Sequence, residues 1–224
     1  MNNGRIVALE DGTEVSFVLD RPASARWLYV FGHGAGAGMH HDFMESMSGR
    51  FSARGVGVLR YQFPYMEAGK RIPDPASRLE QTVSAVVRYA FSRADGVPVV
   101  AGGKSMGGRM TSRACSESLL EGVAGLVFLG FPLHAPGKPG VERAAHLGDV
   151  SVPMLFVQGT RDRLAEQGLM SEVLSGLGER ASTHVVDGGD HSFDVLQRSG
   201  RSRDDVLDEI ADAVAGWLAK TLPA

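Results

Sequence analysis

Short apolar runs alternate with longer helical segments over most of the chain, and this alternation limits the folds that are possible. Eight runs have the character of strands: RIVAL, VSFVL, WLYVFG, VGVLRYQF, VPVVAGG, GLVFLGF, PMLFVQG and STHVVDG. From the third run onward they are nearly all apolar, which is typical of parallel strands covered on both faces. The pattern predicts an α/β fold with a mostly parallel sheet of about eight strands and helices on both faces.

The segments between these runs have the spacing of amphipathic helices. Five helices are predicted, over residues 42–54, 76–93, a segment that follows Ser105, 165–177 and 204–220. The first two runs are joined by EDGTE, whose Asp11-Gly12 pair favours a tight turn. They predict an antiparallel hairpin at the N-terminal edge of the sheet.

Size and composition exclude several classes of protein. The chain has 224 residues, 43% of them hydrophobic and 22% charged, which predicts one domain over residues 1–224. The net charge is −3 without a block of like charges, so a nucleic-acid surface is not expected. No apolar run reaches the ~18 residues that cross a bilayer, so no membrane partner is expected. With Cys115 as the only cysteine and no signal peptide, the expected location is cytoplasmic; composition leaves the oligomeric state open.

The stretch GGKSMGGRM places one serine among four glycines, and Gly103-Lys104-Ser105-Met106-Gly107 matches the pattern G-x-S-x-G. A buried strand precedes it and a helical segment follows, as in the sharp turn that carries a catalytic serine. Small neighbours relieve the crowding of such a turn, and the helix N-terminus offers amides to a developing anion. The alternative is a close crossing of helix and sheet in which Ser105 only caps the helix. The spacing does not fit a phosphate-binding P-loop.

A serine nucleophile needs a general base and an acid that orients the base, in the chain order serine, acid, histidine for this kind of sheet. Asp162 follows the seventh run and His191 the eighth, so both are expected at the same sheet edge as Ser105. Alternatives remain open: Asp162 as a helix N-cap and His191 as a surface histidine. Asp187 and Asp190 are rival acids. Asp162 is preferred because a separate strand brings it to the imidazole from the side.

The third run ends in FGHGAGAGMHHDFM, a glycine-rich loop at the same edge. Such a loop supplies one oxyanion amide and the residue after the nucleophile supplies the other, which predicts the backbone amides of Ala35 and Met106. The alternative is that these glycines only form a turn. A metal site at the neighbouring histidines is disfavoured, since no cysteine and no helical His-x-x-x-His pair supports it. Neither a metal nor another cofactor is expected.

Four side chains near this edge are candidate substrate contacts: His33, His41, Tyr65 and His134. His33 is also suited to bracing the glycine-rich loop, while His134 and Tyr65 are equally open to ordinary roles in a loop or in the core. Only residues 131–152 separate the sixth and seventh runs. No large cap is therefore predicted, and the site is expected to be open.

The segments HGAGAG, GKSMGGR, FPLHAPGKP, FVQGTRD and GGDHSF resemble the α/β-hydrolase superfamily, in its small dienelactone-hydrolase-like branch. They are most similar to the group that contains the hydrolase-like domain of the NSL chromatin-complex subunit and the testis-expressed hydrolase-like protein. The resemblance runs from Trp27 to the C-terminus and implies Ser105 as nucleophile, Asp162 as acid and His191 as base. Dienelactone hydrolases proper carry a cysteine as nucleophile, so their substrate is not implied for this chain.

Together these patterns predict a serine hydrolase of small carboxylic ester or thioester substrates that works through a Ser-Asp-His triad and an acyl-enzyme. Its expected partner is the small-molecule substrate. The alternative is a non-catalytic interaction module that keeps the α/β-hydrolase fold. The hydrolase is favoured because a module has no need to retain all three groups in order.

Overall fold

The computed structural model describes residues 2–223, and within them one sheet contains eight strands. The strands are β1 (Asn2–Val7), β2 (Glu14–Asp20), β3 (Trp27–Gly32), β4 (Val56–Tyr61), β5 (Val99–Lys104), β6 (Gly125–Leu129), β7 (Met154–Gly159) and β8 (Ala181–Val186). They lie in the order β1-β2-β4-β3-β5-β6-β7-β8. β2 pairs antiparallel with β1 and β4, and the remaining pairs are parallel. The predicted mostly parallel sheet with an antiparallel N-terminal edge is confirmed.

The hairpin at that edge closes through the predicted Asp11-Gly12 turn. Gly12 has a φ of 81°, a left-handed conformation that glycine adopts without steric cost. The Thr13 amide donates to Asp11 Oδ1 at 2.9 Å, and the Ala8 amide donates to the Thr13 carbonyl at 2.8 Å. A short polar side chain and a glycine thus set the register of β1 against β2.

Six α-helices connect or follow the strands in residues 2–223. They are α1 (Asp42–Ala53), α2 (Pro64–Glu67), α3 (Ala76–Phe91), α4 (Met106–Ser116), α5 (Gln167–Leu177) and α6 (Arg203–Thr221). All five predicted helices are present, with ends shifted by up to two residues. The short α2 was not predicted, although Pro64 at its first turn is a recognised start signal. α6 begins one residue earlier than predicted, behind a capping box formed by Ser202 and Asp205.

Helices cover both faces of the sheet and bury two apolar cores. On one face, Val83 of α3 and Met110 of α4 are fully or almost fully buried. On the other face, Phe51 of α1 and Val214 of α6 are fully buried. Burying each such side chain contributes about 1.5–3 kcal/mol to folding. The cores hold the strand ends in fixed relative positions, which is what a site at the sheet edge requires.

The outer strand β8 differs from the prediction that every run after the second is covered on both faces. Val185 of β8 is 51% exposed and Thr183, on the same face of the strand, is also exposed, so this face of the edge strand is left partly uncovered. The segment between β6 and β7 contains a 3₁₀ helix, Glu142–Asp149. This segment is short and packs beside α4, where Ser112 Oγ lies 2.7 Å from His146 Nε2.

No helix in the described part of the chain is long and apolar enough to span a membrane. Over the same residues, no group of three or more His, Cys, Asp or Glu side chains is arranged to hold a metal ion.

Candidate active site

Ser105 occupies a sharp turn between β5 and α4. Its φ of 49° and ψ of −112° lie outside the regions that residues other than glycine usually adopt, so the backbone is strained there. The Ser105 amide donates to the Leu129 carbonyl of β6 at 3.1 Å, and the Arg109 amide of α4 donates to the Ser105 carbonyl at 3.1 Å. The strained residue is therefore fixed from the strand on one side and the helix on the other.

Two glycines make this turn sterically possible. A Cβ at Gly103 or at Gly107 would lie within 3.0 Å of the Gly32 carbonyl oxygen of β3. Real Cβ atoms do not approach backbone so closely, so any side chain there would push α4 away from the sheet. The glycines on either side of Ser105 thus let the first turn of α4 pack directly on β3.

The Ser105 hydroxyl lies at one end of a chain of hydrogen bonds. Ser105 Oγ donates to His191 Nε2 at 2.9 Å, and His191 Nδ1 donates to Asp162 Oδ2 at 2.8 Å. This direction follows because an ionised carboxylate only accepts, which places the ring proton on Nδ1. Asp162 is 4% exposed, whereas 27% of the His191 side chain is exposed. The three residues predicted from separate strand ends thus form one chain of hydrogen bonds, with His191 in the middle.

Both oxygens of Asp162 are held by further donors. The Leu164 amide donates to Oδ1 at 2.8 Å, and the Gln158 side-chain amide donates to Oδ2 at 2.5 Å. A buried carboxylate needs such donors because water is excluded from it. They also fix the carboxylate plane against the imidazole. The Asp162 side chain can thus cap the turn before α5 and contact the His191 ring at the same time.

The loop that carries His191 is closed by the rival acid Asp190. Asp190 Oδ1 accepts from the amides of Ser192 at 2.8 Å and Asp194 at 3.0 Å. Phe193 is buried in this loop with a φ of 66°. Within residues 2–223, the carboxylate that contacts the His191 ring is that of Asp162, and Asp190 shapes the turn instead.

The glycine-rich loop after β3 lies close to Ser105. Gly34 is so close that a Cβ there would lie 3.8 Å from the Ser105 Cβ. The loop turns through a hydrogen bond from the Ala37 amide to the Gly34 carbonyl at 3.2 Å. In the described residues, neither the Ala35 amide nor the Met106 amide donates to a protein acceptor. Both residues border the same cavity as Ser105, so both amides remain available to an oxyanion there.

Of the four predicted substrate contacts, His33, Tyr65 and His134 are buried, and their observed contacts are with protein atoms. Residue type and nearness to a strand end do not reveal that a side chain turns inward. His134 Nδ1 lies 2.9 Å from the Ala135 carbonyl of its own loop. The fourth candidate, His41, is exposed, borders a cavity beside Ser105 and caps α1 by accepting from the Phe43 amide at 3.2 Å.

His33 and Tyr65 support the glycine-rich loop from below. The Phe63 amide donates to His33 Nε2 at 3.2 Å, and His33 Nδ1 donates to the Gly34 carbonyl at 2.8 Å. Burial lowers the pKa of His33 to about 4, so the ring is neutral and can accept and donate at once. The Gly36 amide donates to the Tyr65 hydroxyl at 3.0 Å. The bracing role open to His33 from the sequence is the one that the contacts support.

Lys104, the residue before Ser105, was missed as a site residue. Its ammonium donates to the His191 carbonyl at 2.6 Å and lies 5.4 Å from the centre of the Phe193 ring. Burial lowers the pKa of Lys104 to about 8, an effect that Asp162 and Asp190 partly oppose. The one sequence signal available was its position in the G-x-S-x-G motif, directly before Ser105.

Two cavities meet at Ser105 and Ala35. The first has a volume of about 450 Å³ and is bordered by His41, Lys104 and His191. The second has a volume of about 290 Å³, is bordered by Met106 and two arginines, and does not include His191. A carbonyl group at Ser105 therefore has space on both sides, one of them beside the histidine.

The fold and this site define an α/β enzyme architecture, and comparison with known proteins gives the family. Residues 25–219 match the family described as alpha/beta hydrolase domain, and the chain belongs to that family. The predicted membership of the α/β-hydrolase superfamily is thus confirmed.

Solved structures show the same fold at low sequence identity. An α/β serine hydrolase without a lid from Xanthomonas campestris is 18% identical, with a TM-score of 0.77, covering 100% of this chain and 95% of that one. A dienelactone hydrolase from Anabaena variabilis is 16% identical, with a TM-score of 0.78 and coverage of 99% and 98%. Est1E from Butyrivibrio proteoclasticus, solved with ferulic acid bound, is 16% identical, with a TM-score of 0.76 and coverage of 99% and 100%.

Proposed function

We propose that this protein is a serine hydrolase of small carboxylic esters or thioesters, with Ser105 as nucleophile. The observation that carries the proposal is the continuous chain of hydrogen bonds from Ser105 through His191 to Asp162, which begins at a strained strand-to-helix turn. A serine hydroxyl becomes nucleophilic when a neighbouring base takes its proton, and His191 Nε2 is within reach at 2.9 Å.

Acylation follows from this geometry. His191 Nε2 takes the hydroxyl proton as Ser105 Oγ attacks the acyl carbon, and the carbonyl oxygen becomes an anion. The Ala35 and Met106 amides donate to that oxyanion, and Asp162 stabilises the imidazolium through its contact with Nδ1. When the tetrahedral intermediate collapses, His191 gives its proton to the departing alcohol or thiol.

Deacylation repeats these steps with water. His191 removes a proton from a water molecule, which attacks the acyl carbon of the Ser105 ester. The same two amides hold the second oxyanion, and the proton returns to Ser105 Oγ as the carboxylic acid leaves.

The dimensions of the site favour small substrates. The cavities of about 450 and 290 Å³ have the size of small-molecule sites, and only a short 3₁₀ segment stands where larger caps are inserted. The lidless Xanthomonas hydrolase has a related fold, which agrees with an open site. Within the family, we propose a place in the dienelactone-hydrolase-like branch, nearest the group of the NSL-complex subunit and the testis-expressed protein.

The test is active-site labelling together with turnover. We expect a fluorophosphonate probe to label the wild type and not Ser105→Ala, and 4-nitrophenyl acetate hydrolysis to fall at least about 10⁴-fold in that variant. Ser175→Ala removes an exposed serine from helix α5 and is the matched control, for which we expect full labelling and activity. Absence of labelling and turnover in the folded wild type would instead favour the non-catalytic interaction module.

A further inference from the structure

The second cavity at Ser105 combines an apolar wall with two arginines. Met106, Met110, Leu79 and Leu164 form part of its lining near the nucleophile. Arg109 and Arg143 border the same cavity. Such a gradient from apolar to cationic suits a ligand that has a short hydrocarbon part and an anionic end.

Arg109 is held close to the nucleophile by the geometry of α4. It lies four residues after Ser105, and its amide donates to the Ser105 carbonyl at 3.1 Å, so the two side chains emerge one helical turn apart. Arg109 is half-buried. Within residues 2–223 its guanidinium has neither a carboxylate within 4.0 Å nor a hydrogen-bond acceptor. Its guanidinium nitrogens, which are not among the buried polar atoms without a partner, are therefore free to bind an acceptor that a ligand brings.

The other charges around Arg109 make the region cationic. Arg143 donates to the His134 carbonyl at 3.0 Å, a contact that leaves its charge unneutralised. Arg113, one turn further along α4, forms an ion pair with Glu80. Burial, followed by the charges of Arg143 and Arg113, lowers the pKa of Arg109, which records how close these cations are.

One carboxylate, that of Asp74, also borders the second cavity, and it lies 3.8 Å from Arg78 Nε. Its charge is therefore shared with an arginine outside the cavity. Two cations inside the cavity face one carboxylate that already has a partner, so the cavity keeps a net positive charge.

The position of His191 decides which part of a substrate enters this cavity. His191 Nε2 has to protonate the leaving alcohol or thiol, and His191 borders the first cavity and not the second. The leaving group therefore occupies the first cavity, and the acyl group extends into the second.

On that basis, and resting on the proposed hydrolase function, we propose that the second cavity binds a carboxylate carried at the far end of the acyl group, with Arg109 and Arg143 as its ligands. The substrates are then half-esters or thioesters of short dicarboxylic acids. Hydrolysis adds water across the acyl bond and releases the alcohol or thiol and the free dicarboxylate. The remote carboxylate takes no part in bond breaking, and planar guanidinium groups suit its two oxygens.

The test compares acidic and neutral substrates of equal length. Mono-4-nitrophenyl glutarate and 4-nitrophenyl valerate differ mainly in the terminal carboxylate, and we expect the wild type to prefer the glutarate in kcat/KM by at least about tenfold. Arg109→Gln and Arg143→Gln should each reduce this ratio at least about fivefold, and Arg109→Lys should retain part of it. Arg198→Gln, an exposed arginine outside both cavities, is the control and should leave the ratio unchanged. Equal losses on both substrates, or no wild-type preference, would overturn the proposal.

A binding measurement separates this proposal from the proposed hydrolase function. In Ser105→Ala protein, monomethyl glutarate should raise the melting temperature and methyl valerate should not, and Arg109→Gln should abolish the shift. Carboxylate-dependent binding without hydrolysis of any ester would refute the hydrolase and leave the subsite standing. Hydrolysis of neutral esters without carboxylate-dependent binding would refute the subsite and leave the hydrolase function standing.

Discussion

The proposed nucleophile, Ser105, and the proposed base, His191, are held in different ways. Ser105 lies in the middle of the sheet, where β5 is flanked by β3 and β6 and where Gly103 and Gly107 leave no room for a Cβ beside Gly32. His191 follows the edge strand β8, in a loop that is partly exposed to water. One position is set by backbone packing with almost no side chains involved, and the other by side-chain hydrogen bonds.

This difference has consequences for the stability of the protein and for its activity. A change in the backbone packing at Ser105 has to move a helix against a sheet, so its effect should appear first in folding. A change in the contacts of the His191 loop removes individual hydrogen bonds, so its effect should appear first in activity. The predictions below test this contrast, from the largest expected effect to the smallest.

The largest effect is expected where a side chain alone orients the base. Asp162→Asn keeps the shape of the buried acid but removes its charge and favours the wrong imidazole tautomer. We expect kcat to fall roughly 10³–10⁴-fold, measured on 4-nitrophenyl acetate, with little change in the melting temperature.

Asp190→Asn is the matched control in the same loop. An asparagine Oδ1 still accepts from the Ser192 and Asp194 amides, so we expect a loss of less than about tenfold. Comparable losses in the two variants would show that the rival acid takes part in orienting His191.

Much of this arrangement could be predicted from the sequence, for a topological reason. Parallel strands end at one edge of a sheet, so Ser105, Asp162 and His191 were expected to be close once each was placed after a strand. The turn at Gly103–Gly107 was predictable as well, because few local structures need small residues on both sides of a serine.

The parts that were not predictable depend on which way a side chain points. His33, Tyr65 and His134 follow strands but turn inward to hold backbone atoms, and no spacing signals that. Arg143 borders the second cavity from the 3₁₀ segment between β6 and β7, whose packing beside α4 is a tertiary contact. Local sequence patterns specify helices and strands, whereas cavities form where several helices, strands and loops meet.

A smaller effect, on stability, is expected in the backbone-packed half of the site. Gly107→Ala places a Cβ within 3.0 Å of the Gly32 and His33 carbonyls, so we expect the free energy of unfolding to fall by about 2–3 kcal/mol in urea denaturation. Gly176→Ala in α5 is the matched helical control, because its Cβ would meet open space. That variant should be more stable than the wild type by up to about 1 kcal/mol. Equal stabilities of the two variants would refute the packing argument.

The smallest of the three effects is expected at Lys104, where the two halves of the site meet. Its ammonium, at the end of β5, donates to the carbonyl of His191, so it ties the central strand to the edge loop. Lys104→Met keeps a chain of similar length between the rings of Phe43 and Phe193 but removes the donor. We expect kcat/KM at pH 7 to fall about tenfold. Undiminished activity would show that the loop holds His191 without this contact.

The pH dependence of folding tests Lys104 independently of catalysis. Its pKa is about 8 in the folded protein and near 10.5 without burial, so between these values the unfolded chain binds more protons. The free energy of unfolding of the wild type should therefore rise from pH 8 to pH 10.5 relative to that of Lys104→Met, because the wild type loses the cost of a buried charge as Lys104 is deprotonated. Below pH 8 the difference between the two proteins should be constant.

Urea denaturation of both proteins across this range measures the difference in the free energy of unfolding, since all other titrating groups are shared. A difference that stays flat up to pH 10.5 would mean that the ammonium is hydrated, and that the His191 loop is tied to the central strand by a contact weaker than the geometry indicates.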